Sequence, residues 1–369
     1  MPKALQHAGF EVAVLSPSDV YVAKTKYVDR KYTIPSLEGH IVASKFTEAM
    51  HAFRPDLIIV GDERVLWFLH RVVRAADEGK DIGLDSEAIE CVRRSLPHSG
   101  FFHASTDKYA FRQLANRLGV RVPGFHDVVS TADALTFAEE HGYPVVFKSG
   151  IGTGGAGVSV CNTEEDLAQA VSRAYKLYIG CRTTHHTMTV ERFVTGQICS
   201  IACVAYQGEY LAGAMCDKTE CYPPVTGPST VRRYFDLPEM HEFARRIISE
   251  TGFSGFCGFD FMVEDKTGLP IVIEWNPRIT SPCSLGKDCG VDFGQALMAK
   301  MKGDPVPAMS VKEGWMVALY PQELVRDPQS MWVNSIYHDI PQDDPELLAA
   351  YETYIKEHRP EEKAVSSRI

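Results

Sequence analysis

Short apolar runs alternate with amphipathic stretches along the first hundred residues. Residues 11–17 (EVAVLSP) read as a buried strand closed by a turn, and Leu57-Ile58-Ile59-Val60 as a second strand. Asp62 stands where a helix N-cap is needed, ahead of a stretch that puts Val65, Leu66, Leu69, Val72 and Val73 on one face. Strand followed by helix, twice over, predicts a small parallel α/β domain. Such a domain ordinarily opens on a strand and a glycine turn, whereas residues 3–8 read as helix. Either the first strand is absent or the native start lies upstream of Met1.

The pattern changes near Pro97. Ser105-Thr106-Asp107 can cap a helix from Lys108 to about Leu118, and Thr131 to His141 forms another, closed by Gly142. Residues 144–148 and 158–161 read as strands flanking a glycine-rich loop, and Thr163 opens a further helix. Residues 188–217 alternate as antiparallel strands with a hairpin turn at Gln207-Gly208. The prolines, glycine and two arginines of residues 218–236 predict a mobile loop. A helix from about Leu237 to Thr251 precedes strands over 257–264 and 270–275, and residues 291–301 read as helix. Residues 360–369 read as a loose tail.

A chain of 369 residues has room for two or three lobes at roughly 100–200 residues each. Its net charge of −10 argues against a nucleic-acid partner. No apolar run approaches the ~20 residues of a membrane span. Ten cysteines without a CxxC pattern suit reduced, packed thiols and a cytoplasmic location better than zinc or disulfides.

Two segments carry the chemistry. Lys148 is followed by a loop with five glycines in eight positions, Gly150, Gly152, Gly154, Gly155 and Gly157. Such a loop can bring backbone N–H groups close to an anion, with Lys148 adding a full charge. Taken alone it also reads as a flexible hairpin without a ligand. The second segment is a pair of strands bearing Asp260, Met262 and Glu264 on one and Glu274 and Asn276 on the other. The two-residue period lets a hairpin gather Asp260, Glu274 and Asn276, hard oxygen donors suited to magnesium, with manganese as a substitute. Arg278 follows, and the alternative is a solvated edge pair bridged to that arginine. Arg232 and Arg233 read either as a carboxylate-binding pair or as a solvated loop. A metal role for His185-His186 and a nucleophilic role for Cys283 lack supporting partners.

Together these segments resemble the ATP-grasp superfamily over roughly residues 100–302. The helix-opening Lys108, the glycine loop, the segment 190–196 (VERFVTG), the acidic strand and the Glu-x-Asn-Pro-Arg ending occur in the family's order. The ending is most similar to the biotin carboxylase and carbamoyl phosphate synthase branch and to carboxylate–amine ligases. The resemblance implies an α/β and α+β architecture. A preATP-grasp α/β domain over 1–100 would precede an N-terminal lobe with its lid over 101–195 and a C-terminal metal lobe over 196–305. An extension and tail would occupy 306–369. It also implies that Lys108 and Lys148 meet ATP phosphates and that the 150–157 loop closes over them. Glu191, Arg192, Phe193 and Val194 would border the adenine, with Met262 beneath it. Asp260, Glu274 and Asn276 would hold Mg2+, and Arg278 would face the transferred phosphoryl or acyl-phosphate. Where the family often has a ribose-binding glutamate this chain has Ile198, so Gln197 or another group is the expected substitute. The implied activity joins a small-molecule carboxylate to an amine-type acceptor, in a possible homodimer. A carboxylase or phosphotransferase, or a non-catalytic nucleotide binder, are the alternatives.

Overall fold

The computed structural model describes residues 1–149, 157–181, 188–224 and 227–358. Two antiparallel sheets dominate it. The smaller has the order β3-β6-β4-β5, from Phe125–Val128, Met188–Arg192, Val145–Lys148 and Val158–Cys161. The larger has the order β11-β10-β7-β8-β9-β12-β13. Its strands are Pro270–Asn276, Gly255–Glu264, Gly196–Tyr206, Glu209–Cys221, Ser229–Phe235, Met316–Ala318 and Tyr337–His338. Only the last pair, β12 with β13, runs parallel.

Alternation along the long strands separates two cores. Cys199, Ile201, Cys203, Phe259, Phe261 and Trp275 pack on one face against the Pro238–Thr251 helix. Ala202, Val204, Cys216, Tyr234 and Phe256 pack on the other against the Phe293–Lys302 helix. Asp260 belongs to this second face, because it is opposite Ser200, which is opposite Cys216. Gln207 and Gly208 both have positive φ (49° and 77°), which is the backbone a tight hairpin between β7 and β8 requires.

The helix caps follow the sequence. Asp62 accepts from the Val65 N–H, Asp107 from Ala110 and Ser130 from Asp133. The helices they open are Glu63–Asp77, Lys108–Arg117 and Thr131–His141.

Two expectations change. Residues 57–60 are extended but join no ladder, and the N-terminal sheet is only β1 (Ala13–Ser16) parallel to β2 (Arg30–Thr33). Instead the Ile58 N–H bonds to Ser95 Oγ, and the Val60 carbonyl accepts from Ile279 N. Residues 218–236 are largely strand rather than loop: β8 runs on to Cys221 and β9 covers Ser229–Phe235. Arg232 and Arg233 therefore have fixed, opposite orientations. The segment beyond residue 306 also contributes β12 and β13 to the large sheet. The tail over 360–369 lies outside the described residues, as do His185 and His186.

Candidate active site

One helix joins the two sheets. Lys108 and Arg112 are four residues apart on the Lys108–Arg117 helix, so both project from the same face. Lys108 Nζ lies 3.2 Å from Glu274 of the large sheet. Arg112, fully buried, donates to both carboxylate oxygens of Glu191 in the small sheet, at 3.1 and 3.3 Å.

Lys148 completes this buried cluster. β4 and β6 pair Val146 with Glu191 and Lys148 with Thr189, which leaves Lys148 diagonal to Glu191 on one face. Its ammonium donates to Glu191 Oε2 at 2.6 Å. Burial lowers the Lys148 pKa to about 8, against the opposing pull of Glu191. Burial works against ionisation of Glu191, but Arg112 and then Lys148 outweigh it and hold its pKa below the usual value. Two cations and one anion leave the cluster with a net positive charge, the condition an incoming polyanion requires. Beyond Lys148, the Ser149 N–H meets the Gly157 carbonyl at 2.8 Å and closes the base of the glycine loop. Gly150, Gly152, Gly154 and Gly155 lie outside the described residues.

The acidic hairpin gathers its donors as the period required. Asp260 is directly opposite Glu274, and Gly258 opposite Asn276, with a register shift after Asp260. Burial and then the neighbouring Glu274 push the Asp260 carboxyl up to about 6. Glu274 is held below its usual value, because Lys108 and Lys148 outweigh its burial. Asn276 Nδ2 donates to Asp260 Oδ2 at 3.2 Å, and its Oδ1 accepts from Arg278. Two opposed carboxylates, one with its ionisation impeded, form a donor set that a hard divalent cation fits. Asn276 would release its bond to Asp260 to join such a set.

Arg278 is aimed by the N-terminal unit. Its Nε donates to Glu63 Oε1 at 2.6 Å, at the first turn of the Glu63–Asp77 helix. The remaining predicted residues divide. Met262 is half-buried on the Asp260 face, opposite Ile198. Arg192 reaches Glu264 at 3.2 Å, and its N–H bonds to Gly124 O; Phe193 is half-buried and Val194 buried as the chain passes into β7. Gln197 does not join the site. It is opposite Val263 and shares a face with Cys199, away from Asp260. Gly196 fixes this phase, since a Cβ there would lie 2.1 Å from Val263 O. Arg233 likewise lies on the other face, in an ion pair with Asp217, while Arg232 shares the Asp260 face. Cys283 is buried with its thiol pushed up to about 11, the opposite of an activated nucleophile. Arg112, Glu63 and Lys218 escape the sequence reading. The spacing of Arg112 four residues after Lys108 was a usable signal, whereas nothing local marked Glu63.

Comparison with known proteins gives this geometry its context. The family model described as the ATP-binding domain of the carbamoyl-phosphate synthase L chain matches residues 107–198. The carbamoyl phosphate synthase large chain of Thermus thermophilus is 26% identical over 303 residues, 77% of this chain and 27% of that protein. The biotin carboxylase domain of Hydrogenobacter thermophilus 2-oxoglutarate carboxylase, solved with MgADP and bicarbonate, superposes with a TM-score of 0.64. It is 17% identical and covers 85% of this chain and 70% of that one. The chain is similar to ATP-grasp proteins in sequence over residues 107–198 and in fold over most of its length. An L-amino acid ligase from Bacillus licheniformis superposes with a TM-score of 0.57 and 18% identity, covering 82% of this chain and 71% of that one. The chain spans about a quarter of the length of the curated relatives it matches. Among the described residues, no helix is long and apolar enough to cross a membrane.

Proposed function

We propose that this chain is an ATP-dependent ligase that phosphorylates a small-molecule carboxylate and passes the acyl group to an amine-type acceptor. One observation carries the reading. The opposed pair Asp260 and Glu274, with Arg278 beside Asn276, is tied to the buried Lys148 cluster by one helix, whose Lys108 reaches Glu274 and whose Arg112 reaches Glu191.

The roles follow from charge. A carboxylate is a poor electrophile until one oxygen becomes a phosphate leaving group. Bringing it to a triphosphate sets two anions against each other, and Lys108, Lys148 and Arg278 offset that repulsion. Asp260, Glu274 and Asn276 would hold Mg2+, which supplies charge neutralisation at the phosphates when bound. Glu191 keeps Lys148 in place by direct contact while Arg112 anchors Glu191, and the segment 191–194 and Met262 would border the adenine. The 150–157 loop would exclude water, which an acyl-phosphate demands. Residues 1–100 would act as the preATP-grasp domain, whose Glu63 holds Arg278. Residues 101–195 and 196–305 would form the two ATP-grasp lobes, and 306–369 the extension.

A carboxylase reading is favoured by one finding, the MgADP and bicarbonate bound to the Hydrogenobacter domain. That domain was solved as a dimer, and a homodimer is proposed here also. The described cysteines are free thiols, which suits a reducing cytoplasm.

The test is ADP release from ATP and Mg2+ across panels of carboxylates and amines, with bicarbonate as one member. Transfer of 18O from labelled carboxylate to phosphate supports acyl-phosphate formation. ADP release with no label transfer for any carboxylate, bicarbonate included, refutes it.

A further inference from the structure

On β8 and β9 the two sheet faces treat charge in opposite ways. Asp217 and Arg233 are partners in register and form an ion pair on the face away from Asp260. The next pair in register, Lys218 and Arg232, sets two cations directly opposite each other on the Asp260 face. Like charges in that position destabilise a sheet. Arg232 is only 5% exposed, and its Nη1 has no hydrogen-bond partner among the described residues. Its Nη2 donates to Ser281 Oγ, three residues beyond Arg278. Of the nearby acids, Asp260 feels the charge of Lys218, and two others are engaged elsewhere. Asp339 accepts from the Tyr320 N–H at 2.6 Å, and Glu220 lies 3.7 Å from Arg326. A buried guanidinium with a free edge is costly unless something fills it.

We infer that Lys218 and Arg232 form a second anion subsite that binds a substrate carboxylate other than the one phosphorylated. This rests on the ligase reading and narrows it to substrates that carry their own carboxylate at a distance from the reacting centre. The phosphates already have Lys108 and Lys148, and the reacting carboxylate has Arg278. Lys218 and Arg232 are two further cations on the Asp260 face among the described residues. One free guanidinium nitrogen and one ammonium match the two oxygens of a carboxylate. A phosphate dianion would leave an oxygen without a donor. The carboxylate belongs either to the acceptor, as in an amino acid, or to a dicarboxylate donor.

Crystals grown with MgADP and soaked in 4-bromobenzoate, whose aryl bromide does not alkylate thiols, test the subsite, since bromine scatters anomalously. Carboxylate density in hydrogen-bond reach of Arg232 and Lys218, lost in Arg232→Met, is the expected result; Lys218→Met serves if the first variant does not fold. Absence of 4-bromobenzoate there in wild type overturns the inference. Nucleotide density at Asp260 and Glu274 in the same crystals reports separately on the ligase reading. In the ADP-release assay, converting the second carboxylate to an amide should raise KM roughly 10- to 100-fold for whichever substrate carries it. An unchanged KM for both amidated donors and amidated acceptors overturns it.

Discussion

Glu191→Gln tests the electrostatic logic of the site without touching a metal donor. In the native protein one buried carboxylate serves Arg112 at 3.1 and 3.3 Å and Lys148 at 2.6 Å, and all three residues are at most 6% exposed. The amide removes the sole negative charge and strands two adjacent buried cations. Breaking a buried ionic cluster in this way costs about 3–5 kcal/mol. Lys148 loses the attraction that raises its pKa, so it titrates below its present value of about 8. The assay is urea unfolding at pH 7, followed by tryptophan fluorescence, since Trp275 packs against Phe111 of the same helix that carries Arg112. The midpoint should fall with the slope unchanged. Adding Arg112→Met removes one stranded cation, so the double variant should recover at least about 1–2 kcal/mol relative to Glu191→Gln alone. A loss below about 1 kcal/mol for the single variant, or a double variant less stable than the single, would refute the reasoning.

Other perturbations address the rest of the site. Asp260→Asn/Glu274→Gln should abolish the magnesium dependence of ADP binding, a loss on the order of 100-fold or about 3 kcal/mol by calorimetry. Lys148 carries its charge below pH 8 and loses it above. ADP affinity should therefore fall as pH rises past 8, by up to about tenfold per unit. Asp260 titrates near 6, so protons should compete with Mg2+ below that pH and weaken it by up to about tenfold per unit. The sign for stability is the reverse: with its pKa raised from 3.8, Asp260 stabilises the metal-free fold when protonated, and that contribution is lost as pH rises to about 6. Gly196→Ala puts a Cβ 2.1 Å from Val263 O and should cost about 1–3 kcal/mol in thermal or urea unfolding, because backbone cannot move aside cheaply.

The hairpin of β10 and β11 was legible because two apolar-rich runs with alternating acids are separated by a short polar turn, although the register shift after Asp260 was not. The caps at Asp62, Asp107 and Ser130 were legible for a local reason, a short acceptor just ahead of an amphipathic run. Residues 218–236 misled because Pro223, Pro224 and Pro228 interrupt the alternation, although β9 reforms the ladder beyond them. Residues 57–60 have strand composition, but a ladder needs a neighbour, and the N-terminal unit pairs only β1 with β2. Gln197 failed through phase: the close approach of Gly196 to Val263 decides which side chains of β7 face Asp260, and composition does not record it. Glu63 was hidden because its partner Arg278 is 215 residues away.

The central claim is that the opposed carboxylates of the large sheet and the buried lysine of the small one hold a magnesium triphosphate between them. A crystal structure with Mg2+ and a non-hydrolysable ATP analogue measures it directly. The account predicts metal density within ligand distance of Asp260 and Glu274, with phosphate oxygens against Lys108 and Lys148. Nucleotide bound elsewhere, or phosphates bound while both carboxylates remain without a cation, would contradict it.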